Sequence, residues 1–307
     1  MTRGEKTANM IGVVVPFIGL IAAVVLLWNK AVDWIDLALF ATTYVAVGLG
    51  VTIGYHRLLT HRSFTTSKPV EYTFAILGSM SVQGSVMDWV ADHRKHHAHT
   101  DQEGDQHSPH VGHGHGFKGL LHAHMGWLFT DQGQADWKKY ARDLYEDPMM
   151  RRIGRWFPYW ALLGLAIPAA LGGLLHGSWE GVLRGLVWGG LVRVFLLHHV
   201  TWSINSVCHF FGRRRFDVED HSTNVAWLAL PSLGEAWHHN HHAFPRSASH
   251  GMNWRERALD PSAWVIAGME KLGLAQNVVR ITPERQAQKL AGAPAPAPQR
   301  EKETVAA

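Results

Sequence analysis

Cysteine is nearly absent from this sequence, which has Cys208 as its single thiol among 307 residues. One cysteine can form no disulfide within the chain and cannot supply the ligands of an iron–sulfur cluster. Because Cys208 lies in an apolar, helix-like run, we interpret it as a packing residue rather than a nucleophile. The chain also lacks a nucleotide-binding fingerprint, since the G-x-G-x-x-G spacing at 114–119 follows no predicted strand.

Charged residues are rare in four long apolar segments. These segments are residues 11–28, 34–55, 157–175 and 181–203. Asp36, Arg184 and Arg193 are the only charged residues within them. Each segment has roughly the 20 residues that a helix needs to cross the hydrocarbon core of a bilayer. The sequence therefore predicts an integral membrane protein with four transmembrane helices. No Lys/Arg helix face with interleaved aromatic residues is present, so we exclude nucleic acid as a partner.

The connectors and the positive charges predict an orientation. Segments 29–33 and 176–180 would join the spans in pairs and leave all other soluble segments on one side of the membrane. The basic residues on that side are Arg3, Lys6, Arg57, Arg62, Arg94, Lys95, Arg151, Arg152, Arg155 and Arg213–Arg215. The positive-inside rule then places both termini and the histidine-rich segments in the cytoplasm.

We divide the chain into an N-terminus (1–10), a membrane domain (11–275) and an Ala/Pro-rich, mostly disordered tail (276–307). Residues 72–87 are apolar enough to form a fifth span. Such a crossing would put the histidines of 56–61 and of 93–97 on opposite faces of the membrane. We therefore interpret 72–87 as a helix that lies in the interface or under the cytoplasmic domain.

Histidine is abundant, with 22 residues, and two motifs show how it is spaced. The motif DHRKHH places His93, His96 and His97 at i, i+3 and i+4, on one face of a helix. The motif HRLLTH places His56 and His61 five residues apart, roughly 140° around an α-helix. These two side chains converge only if the helix ends between them.

The run HHNHH near the C-terminus repeats the first spacing in one frame only, that of His238, His241 and His242. His239 points roughly 100° away from His238 on a helix of 3.6 residues per turn. We therefore expect His239 to take no part in a site that the other three share.

A fourth motif, TWSINSVCH, puts Asn205 and His209 at i and i+4, again on one helix face. Together the motifs supply nine imidazoles, which are His56, His61, His93, His96, His97, His209, His238, His241 and His242. Nine are too many for one ion, so the pattern predicts two transition-metal ions, and imidazole accepts Zn, Cu, Fe or Ni.

The remaining histidines receive weaker interpretations. We expect solvated loop positions, or contacts behind the metal ligands, for His99, His107, His110, His113, His115, His122, His124 and His239. No role is assigned to His176, His198, His199, His221 and His250.

With these motifs in this order between paired spans, the chain resembles the integral-membrane fatty acyl desaturases, in particular the Δ9 (stearoyl-CoA-type) branch and its bacterial members. The likeness covers roughly residues 10–275. It implies an all-α membrane fold, with four transmembrane helices and a cytoplasmic helical cap that holds a histidine-rich dimetal site. It also implies two iron ions, O2 as co-substrate, and a cis double bond, at Δ9, in a long saturated acyl chain. The implied location is the bacterial inner membrane.

The resemblance assigns individual residues. The family's last motif, His-Asn-x-His-His-x-Phe-Pro, aligns with His238, His241 and His242, and its Asn falls on His239, which could add a weak ligand or remain a surface imidazole. Asn205 would reach one iron through water. Thr201 and Trp202 match the pair that shapes the bend of the family's acyl tunnel.

Four further residues are assigned around the site. Trp89, together with Trp202, would form walls of the acyl tunnel, and Gln83 would bind substrate. Asp92 and Glu235 would orient the metal ligands.

The substrate's head group stays open among coenzyme A, a membrane lipid and an acyl carrier protein. Gly84 and Ala91 stand where the animal acyl-CoA enzymes have Asn and Arg. After Gly126-Trp127, Thr130-Asp131 replaces a basic dipeptide of those enzymes. These departures remove groups that would bind coenzyme A.

Electrons must come from a separate ferredoxin- or cytochrome-like donor with an NAD(P)H reductase, because the chain has neither a cysteine set nor a nucleotide fold. The basic surface around Arg151, Arg152 and Arg213–Arg215 is a candidate docking site.

Two alternatives remain at this stage. A membrane di-iron hydroxylase would share the histidine pattern and the oxygen chemistry. A non-enzymatic, histidine-rich metal carrier would explain the loop histidines. It would need ligands along the transmembrane path, whereas the two His-x-x-His-His motifs lie outside the predicted spans.

Overall fold

A computed structural model describes residues 2–28, 32–112, 116–130 and 135–290. His113, His115, Asp131, residues 29–31 of the first connector and residues 291–307 of the tail lie outside the described residues. The described part of the chain is helical and contains isolated β-bridges but no strand. Its helices are α1 (Arg3–Trp28), α2 (Trp34–Leu49), α3 (Lys68–Ser79), α4 (Val86–His99), α5 (Phe117–His124), α6 (Trp137–Tyr140), α7 (Arg142–Glu146), α8 (Pro148–Arg155), α9 (Phe157–His176), α10 (Trp179–Gly185), α11 (Arg193–Ser206), α12 (Ala226–Ala229), α13 (His238–Ala243), α14 (Trp254–Arg257), α15 (Pro261–Lys271) and α16 (Pro283–Gln288). Two π-helical segments, Gly50–Thr60 and Leu186–Val192, and two 3₁₀ segments, Gly126–Phe129 and Val207–His209, complete the helical elements.

Four helices are long and apolar enough to cross a membrane, which confirms the predicted number. They are Arg3–Leu27, Trp34–Thr60, Phe157–His176 and Trp179–His209. The second and fourth run past the ends predicted from the apolar segments, because both continue out of the apolar layer into the cap. These two extensions carry His56, Asn205 and His209 to the same end of the helical bundle.

The spans approach closely where small residues face each other. A Cβ on Gly185 would collide with the Pro168 carbonyl, and one on Gly189 would meet the Pro168 side chain. Gly172 is equally crowded by the backbone at Gly181. Gly185 and Gly189, four residues apart on the fourth span, therefore allow a close contact with the third span.

The charged residues within the spans form hydrogen bonds with neighbouring segments of the chain. Asp36 is fully buried and accepts from the Arg184 guanidinium at 3.1 and 3.3 Å. Arg193 is fully buried and donates to the carbonyls of Met80 at 2.8 Å and Gly164 at 2.7 Å. Buried charge is tolerated at membrane depth only with such partners.

The stretch 72–87 does not form a fifth spanning helix. α3 has 12 residues and ends at Ser79, so it is about 18 Å long against a hydrocarbon core of about 30 Å. It packs along the π-helical end of the second span, where a Cβ on Gly50 would strike the backbone at Gly78. That it lies in the membrane interface stays a prediction.

The cap lies on the bundle end that the second and fourth spans reach. Its largest core cluster joins Ile53 and Tyr55 of the second span to Met87 of α4, Met150 of α8 and Ile266 of α15. This cluster fixes α4 against the end of the second span, which is where two of the histidine motifs meet.

Candidate metal centre

Three histidines are carried by α4. Ser85 caps this helix, since its hydroxyl accepts a hydrogen bond from the Asp88 amide at 3.2 Å. The predicted helix at this motif is confirmed, and the Nε2 atoms of His93 and His97, one turn apart, lie 3.2 Å from each other. His96 is buried on the same helix and turns toward a second set of histidines.

His56 and His61 converge in a way that their spacing did not predict. The second span continues past His56 as the π-helix Gly50–Thr60, and the His61 amide donates to the His56 carbonyl at 3.1 Å. The two ring centroids lie 4.9 Å apart. The helix ends at Thr60, between the two histidines, as expected, and the π-turn that closes it joins residues five apart and brings both rings onto one side.

A tight turn positions α13, which carries the last motif. Leu233 and Gly234 both have positive φ, 56° and 100°. Gly234 is required at this point, since a Cβ there would collide with Asp260. The helix itself is anchored by Asn240, a fully buried residue whose amide group donates to the His250 carbonyl at 2.9 Å.

The end of the fourth span supplies Asn205 and His209. Below α11 the chain tightens into the 3₁₀ turn Val207–His209, and His209 is buried. Asn205 lies on the wall of a cavity that His56, His93 and His238 also line.

The nine histidines form two adjacent groups, and within each group the ligand atoms lie within 4.8 Å of one another. The first group is His56, His61, His93, His97 and His241, and the second is His96, His209, His238 and His242. In the first, Nε2 of His241 lies 3.1 Å from that of His56 and 2.9 Å from that of His97. In the second, Nε2 of His238 lies 3.0 Å from that of His209 and 3.1 Å from that of His242.

In four of these rings a carboxylate contacts Nδ1, the nitrogen that faces away from the histidine group. His96 Nδ1 contacts Asp105 at 2.9 Å, and His209 Nδ1 contacts Asp101 at 2.9 Å. The other two pairs are His242 with Asp220, at 2.7 Å, and His56 with Glu235. An ionised carboxylate only accepts hydrogen bonds, so Nδ1 carries the proton and the Nε2 lone pair points into the group.

Burial sets the charge state of four ligand rings that contact no carboxylate. It lowers the pKa of His93, His97, His238 and His241 well below the ordinary value, so these rings are neutral. Burial alone would raise the pKa of Asp105, but the His96 charge and hydrogen bond overcome this and hold it low. A neutral imidazole is the form that binds a metal.

The arrangement fits two cations. Without an ion, two Nε2 lone pairs that face each other at 2.9 to 3.2 Å would repel. Nitrogen ligands that share one ion at about 2.1 Å lie roughly 3 Å apart, which is close to the observed separations. His61 Nε2 is buried and has no hydrogen-bond partner, as an atom reserved for a ligand would.

Known proteins are similar in sequence to this chain over most of its length. A family model described as "Fatty acid desaturase" matches residues 33–259. The chain belongs to the fatty acid desaturase family. Hex-5-enoyl-[acyl-carrier protein] acetylenase of Moorena producens is 42% identical over 86% of this chain and 83% of its own. The sn-1 stearoyl-lipid 9-desaturase of Anabaena variabilis is 40% identical over 76% of this chain and 80% of its own. Delta-9 acyl-lipid desaturase 1 of Arabidopsis thaliana is 38% identical over 84% of this chain and 79% of its own.

Family membership and structure together confirm the resemblance and the fold class. This desaturase is a membrane oxidoreductase of lipid metabolism, with four candidate membrane helices and a cap that holds two histidine groups able to bind metal.

Of the two carboxylates predicted to orient ligands, the structure brings one to a histidine. Glu235 contacts His56. Asp92 instead accepts from the Ala135 amide at 2.9 Å, and burial raises its pKa to about 6. The prediction for Asp92 was wrong because its place next to the His93 motif in sequence does not aim its side chain at a ring.

His239 lies outside both groups, as its helical angle predicts, yet it is not a surface imidazole. It is fully buried, and its Nε2 accepts from the Phe216 amide at 2.9 Å. Ser222 lies 3.3 Å from the other ring nitrogen. The ring therefore ties α13 to the preceding loop.

Several of the other histidines contact the site's surroundings rather than solvent. His107 is buried beside Asp105, His110 contacts the His209 carbonyl at 2.7 Å, and His124 contacts Ser206 at 3.0 Å. His99 lies 3.3 Å from the Tyr140 hydroxyl. For the buried His107 the structure supports the second of the two expected alternatives, a contact behind a metal ligand, rather than a solvated loop position.

Sequence reasoning missed three carboxylates and a buried pair. Asp101, Asp105 and Asp220 hold ligand rings, although no spacing rule links them to their histidines. Arg57 and His250 are fully buried behind the first group, where the guanidinium donates to His250 at 3.3 Å. One signal for these carboxylates was available in the sequence. Asp101 and Asp105 follow α4 closely, so a chain that turns back after this helix can bring them to the histidines.

An apolar cavity reaches the histidines from the membrane side. It is lined by Val51, Thr52, His56, Trp89, His93, Leu197, Val200, Thr201, Ile204, Asn205, Pro231, Ser232, Leu233, Glu235 and His238. Of the residues assigned to substrate, Trp89 and Thr201 line it, and Gln83 donates to the Thr201 hydroxyl at 3.0 Å. Trp202 does not line it but packs behind, against His198 and His199.

Proposed function

We propose that this desaturase uses O2 to insert a cis double bond at Δ9 of a long saturated acyl chain. The observation that carries the proposal is the meeting of two histidine groups with the end of an apolar cavity, in a chain of the desaturase family. Relatives named as 9-desaturases support the Δ9 position.

Two iron ions would be held by the nine imidazoles, one by each group, with Asn205 reaching the second through water. Imidazole sets also accept other transition metals, so iron is supported by the family rather than by the ligand set. When bound, the two irons would supply the oxidising power to break unactivated C–H bonds with O2, which side-chain acid–base chemistry lacks.

The chain's own residues would position the substrate and exclude water. Val51, Leu197 and Leu233 offer an apolar wall to the acyl chain, and the ring of Trp89 would confine it beside His93. The hydrogen bond from Gln83 would fix Thr201 at the bend. Burial of the rings would keep solvent from the reacting carbons.

We propose a membrane lipid as the carrier of the acyl chain. Relatives named as acyl-lipid desaturases support it, although others are named for acyl-CoA or acyl-carrier substrates. Gly84 and Ala91 offer no donor to a coenzyme A phosphate. The cavity's apolar lining at the end of the spans suits a chain supplied by the bilayer.

The remaining proposals concern the bounds of the domain, its membrane and orientation, and its electron donor. Residues 11–275 would form the desaturase domain, and the family match at 33–259 lies within it. The protein would lie in the bacterial inner membrane with its cap and both termini in the cytoplasm, and a separate ferredoxin- or cytochrome-like donor with an NAD(P)H reductase would supply electrons.

Expression in a desaturase-deficient host tests this function. Membrane fatty acids would be separated by gas chromatography and the double bonds located, for the native chain and for His96→Ala, in a host that supplies an electron donor. We expect a new cis-Δ9 monoene in lipid-bound chains with the native protein and none with His96→Ala. Hydroxylated chains would support the hydroxylase alternative, and an alkyne would assign the activity named for the Moorena relative.

A further inference from the structure

A depression on the cap reaches the histidine groups from the side that the acyl cavity does not use. His61, His97 and His242 line it, together with rim residues that include Gln102, Glu219 and Pro245. The acyl cavity is lined by His56, His93 and His238. Among the described residues no histidine lines both openings, so the two histidine groups lie between two separate approaches.

The proposed reaction needs a second approach. Reducing O2 to two waters takes four electrons and four protons, and loss of two hydrogens from the acyl chain supplies two of each. The other two electrons must come from a carrier and the other two protons from solvent. The chain's single cysteine cannot hold an iron–sulfur carrier, so the electrons arrive from another protein.

A basic groove adjoins this depression at Pro245. Arg246, Arg285 and Lys289 line it, and its floor is Ala243 and Phe244, the direct continuation of the ligand helix α13. Lys289 donates to the Ala243 carbonyl at 2.8 Å, which holds its charge over the groove.

The two arginines of this groove are exposed and form no ion pair with a carboxylate of residues 2–28, 32–112, 116–130 and 135–290. Other basic residues nearby are occupied. Arg214 donates to the carbonyls of Ser222 and Val218, at 2.7 and 2.6 Å, and Arg215 donates to Gln286 at 2.8 Å.

We propose that Arg246, Arg285 and Lys289 dock an acidic one-electron carrier protein, whose redox centre then lies over His61, His97 and His242. The carboxylates of the depression do not cancel this charge, because Glu219 stands alone on the rim and Asp220 is bound to His242. The inference rests on the proposed function, because that reaction is what requires an electron donor. Binding of the donor to this surface can nevertheless be measured without turnover.

The test measures binding of a plant-type [2Fe–2S] ferredoxin, an acidic one-electron carrier, to the purified iron-loaded protein in detergent. Arg246→Glu/Arg285→Glu is compared with the native chain and with Arg152→Glu/Arg155→Glu, which changes two exposed arginines of α8. Arg152 belongs to the docking surface first considered from sequence. We expect the groove variant to bind about tenfold or more weakly at low salt, with the difference shrinking as ionic strength rises. The α8 variant should bind like the native protein.

Turnover then separates this inference from the proposed function. Both proteins would be reduced by dithionite and a viologen mediator without air, freed of excess reductant and then mixed with O2, and the groove variant should form as much product per chain in this single turnover as the native chain. Equal ferredoxin binding by groove variant and native chain, or no binding by the native chain, would overturn the docking surface. Absence of product with the chemical reductant would count against the proposed function and leave the binding result to decide the surface.

Discussion

At the scale of single residues, four of the nine rings are oriented by a carboxylate that accepts from Nδ1. Asp105, Asp101 and Asp220 orient His96, His209 and His242 and keep their Nε2 lone pairs pointing inward. Spacing and resemblance together singled out the nine imidazoles, because i, i+3 and i+4 positions are fixed by a helix. They could not supply the carboxylates, since loops bring those in from distant positions.

The Asp220→Asn variant tests this orienting role. An amide in place of the carboxylate loses the charge and the preference for a protonated Nδ1 on His242, so iron affinity should fall about 10- to 100-fold. Asp92→Asn is the matched control, because Asp92 contacts the Ala135 amide and should leave affinity unchanged. Chelator competition followed by metal analysis gives both values. Equal loss in the two variants would mean that the effect is structural rather than specific to the ring.

At the scale of elements, the π-helical end of the second span decides the geometry of His56 and His61. Arg94 of α4 donates to the carbonyls of Leu59 at 2.6 Å and Thr60 at 3.1 Å, which stabilises this end of the helix. Sequence reasoning assumed 3.6 residues per turn, and nothing local in HRLLTH marks a wider turn. The wider turn depends on contacts with α3 and α4, which only the tertiary structure supplies.

Close packing of this element on α3 predicts a destabilising substitution. In Gly50→Ala the new Cβ meets the backbone at Gly78 and the Leu77 side chain, so the free energy of unfolding should fall by about 1 to 3 kcal/mol. Gly12→Ala, on α1, meets nothing within 4 Å and should be neutral. Thermal unfolding in detergent compares the two, and an unchanged midpoint for Gly50→Ala would show that the helices can separate without cost.

The wall of the acyl cavity predicts a change in chain length. A Cβ on Gly48 would lie 2.7 Å from Leu233 Cδ1 and 3.6 Å from Leu197 Cδ1, and both leucines line the cavity. Gly48→Ala should push Leu233 inward and lower the preference for stearoyl over palmitoyl chains by about tenfold. Product analysis in the host described above measures the ratio, with Gly12→Ala as control. A ratio that does not change would place the methyl end of the chain elsewhere.

At the scale of the whole molecule, four apolar spans and a one-sided cap could be predicted from hydropathy and charge alone. The composition of 72–87 is compatible with a span, and its interpretation as a helix that does not cross came from the need to keep two histidine motifs on one face of the membrane. What excludes a crossing is the break after Ser79, which leaves α3 too short. The second face of the cap, with its basic groove, had no sequence signal, since Arg246, Arg285 and Lys289 are separated along the chain.

Orientation gives a prediction at this scale. Trp179, at the start of the fourth span, and Arg152, on α8, are both exposed and should lie on opposite sides of the membrane. A membrane-impermeant maleimide should label Trp179→Cys in spheroplasts and Arg152→Cys only after permeabilisation, while the buried Cys208 gives no background. The reverse pattern would invert the proposed topology and place the cap outside the cytoplasm.

The most direct test of the central claim is the metal content of the purified protein. Two irons per chain are expected in the native protein, and about one in each of His97→Ala and His238→Ala, which remove one ligand from different groups. Size-exclusion chromatography would establish that both variants stay folded. Tightly bound zinc in place of iron, or an iron content that neither substitution lowers, would contradict the account of these nine histidines as a di-iron site.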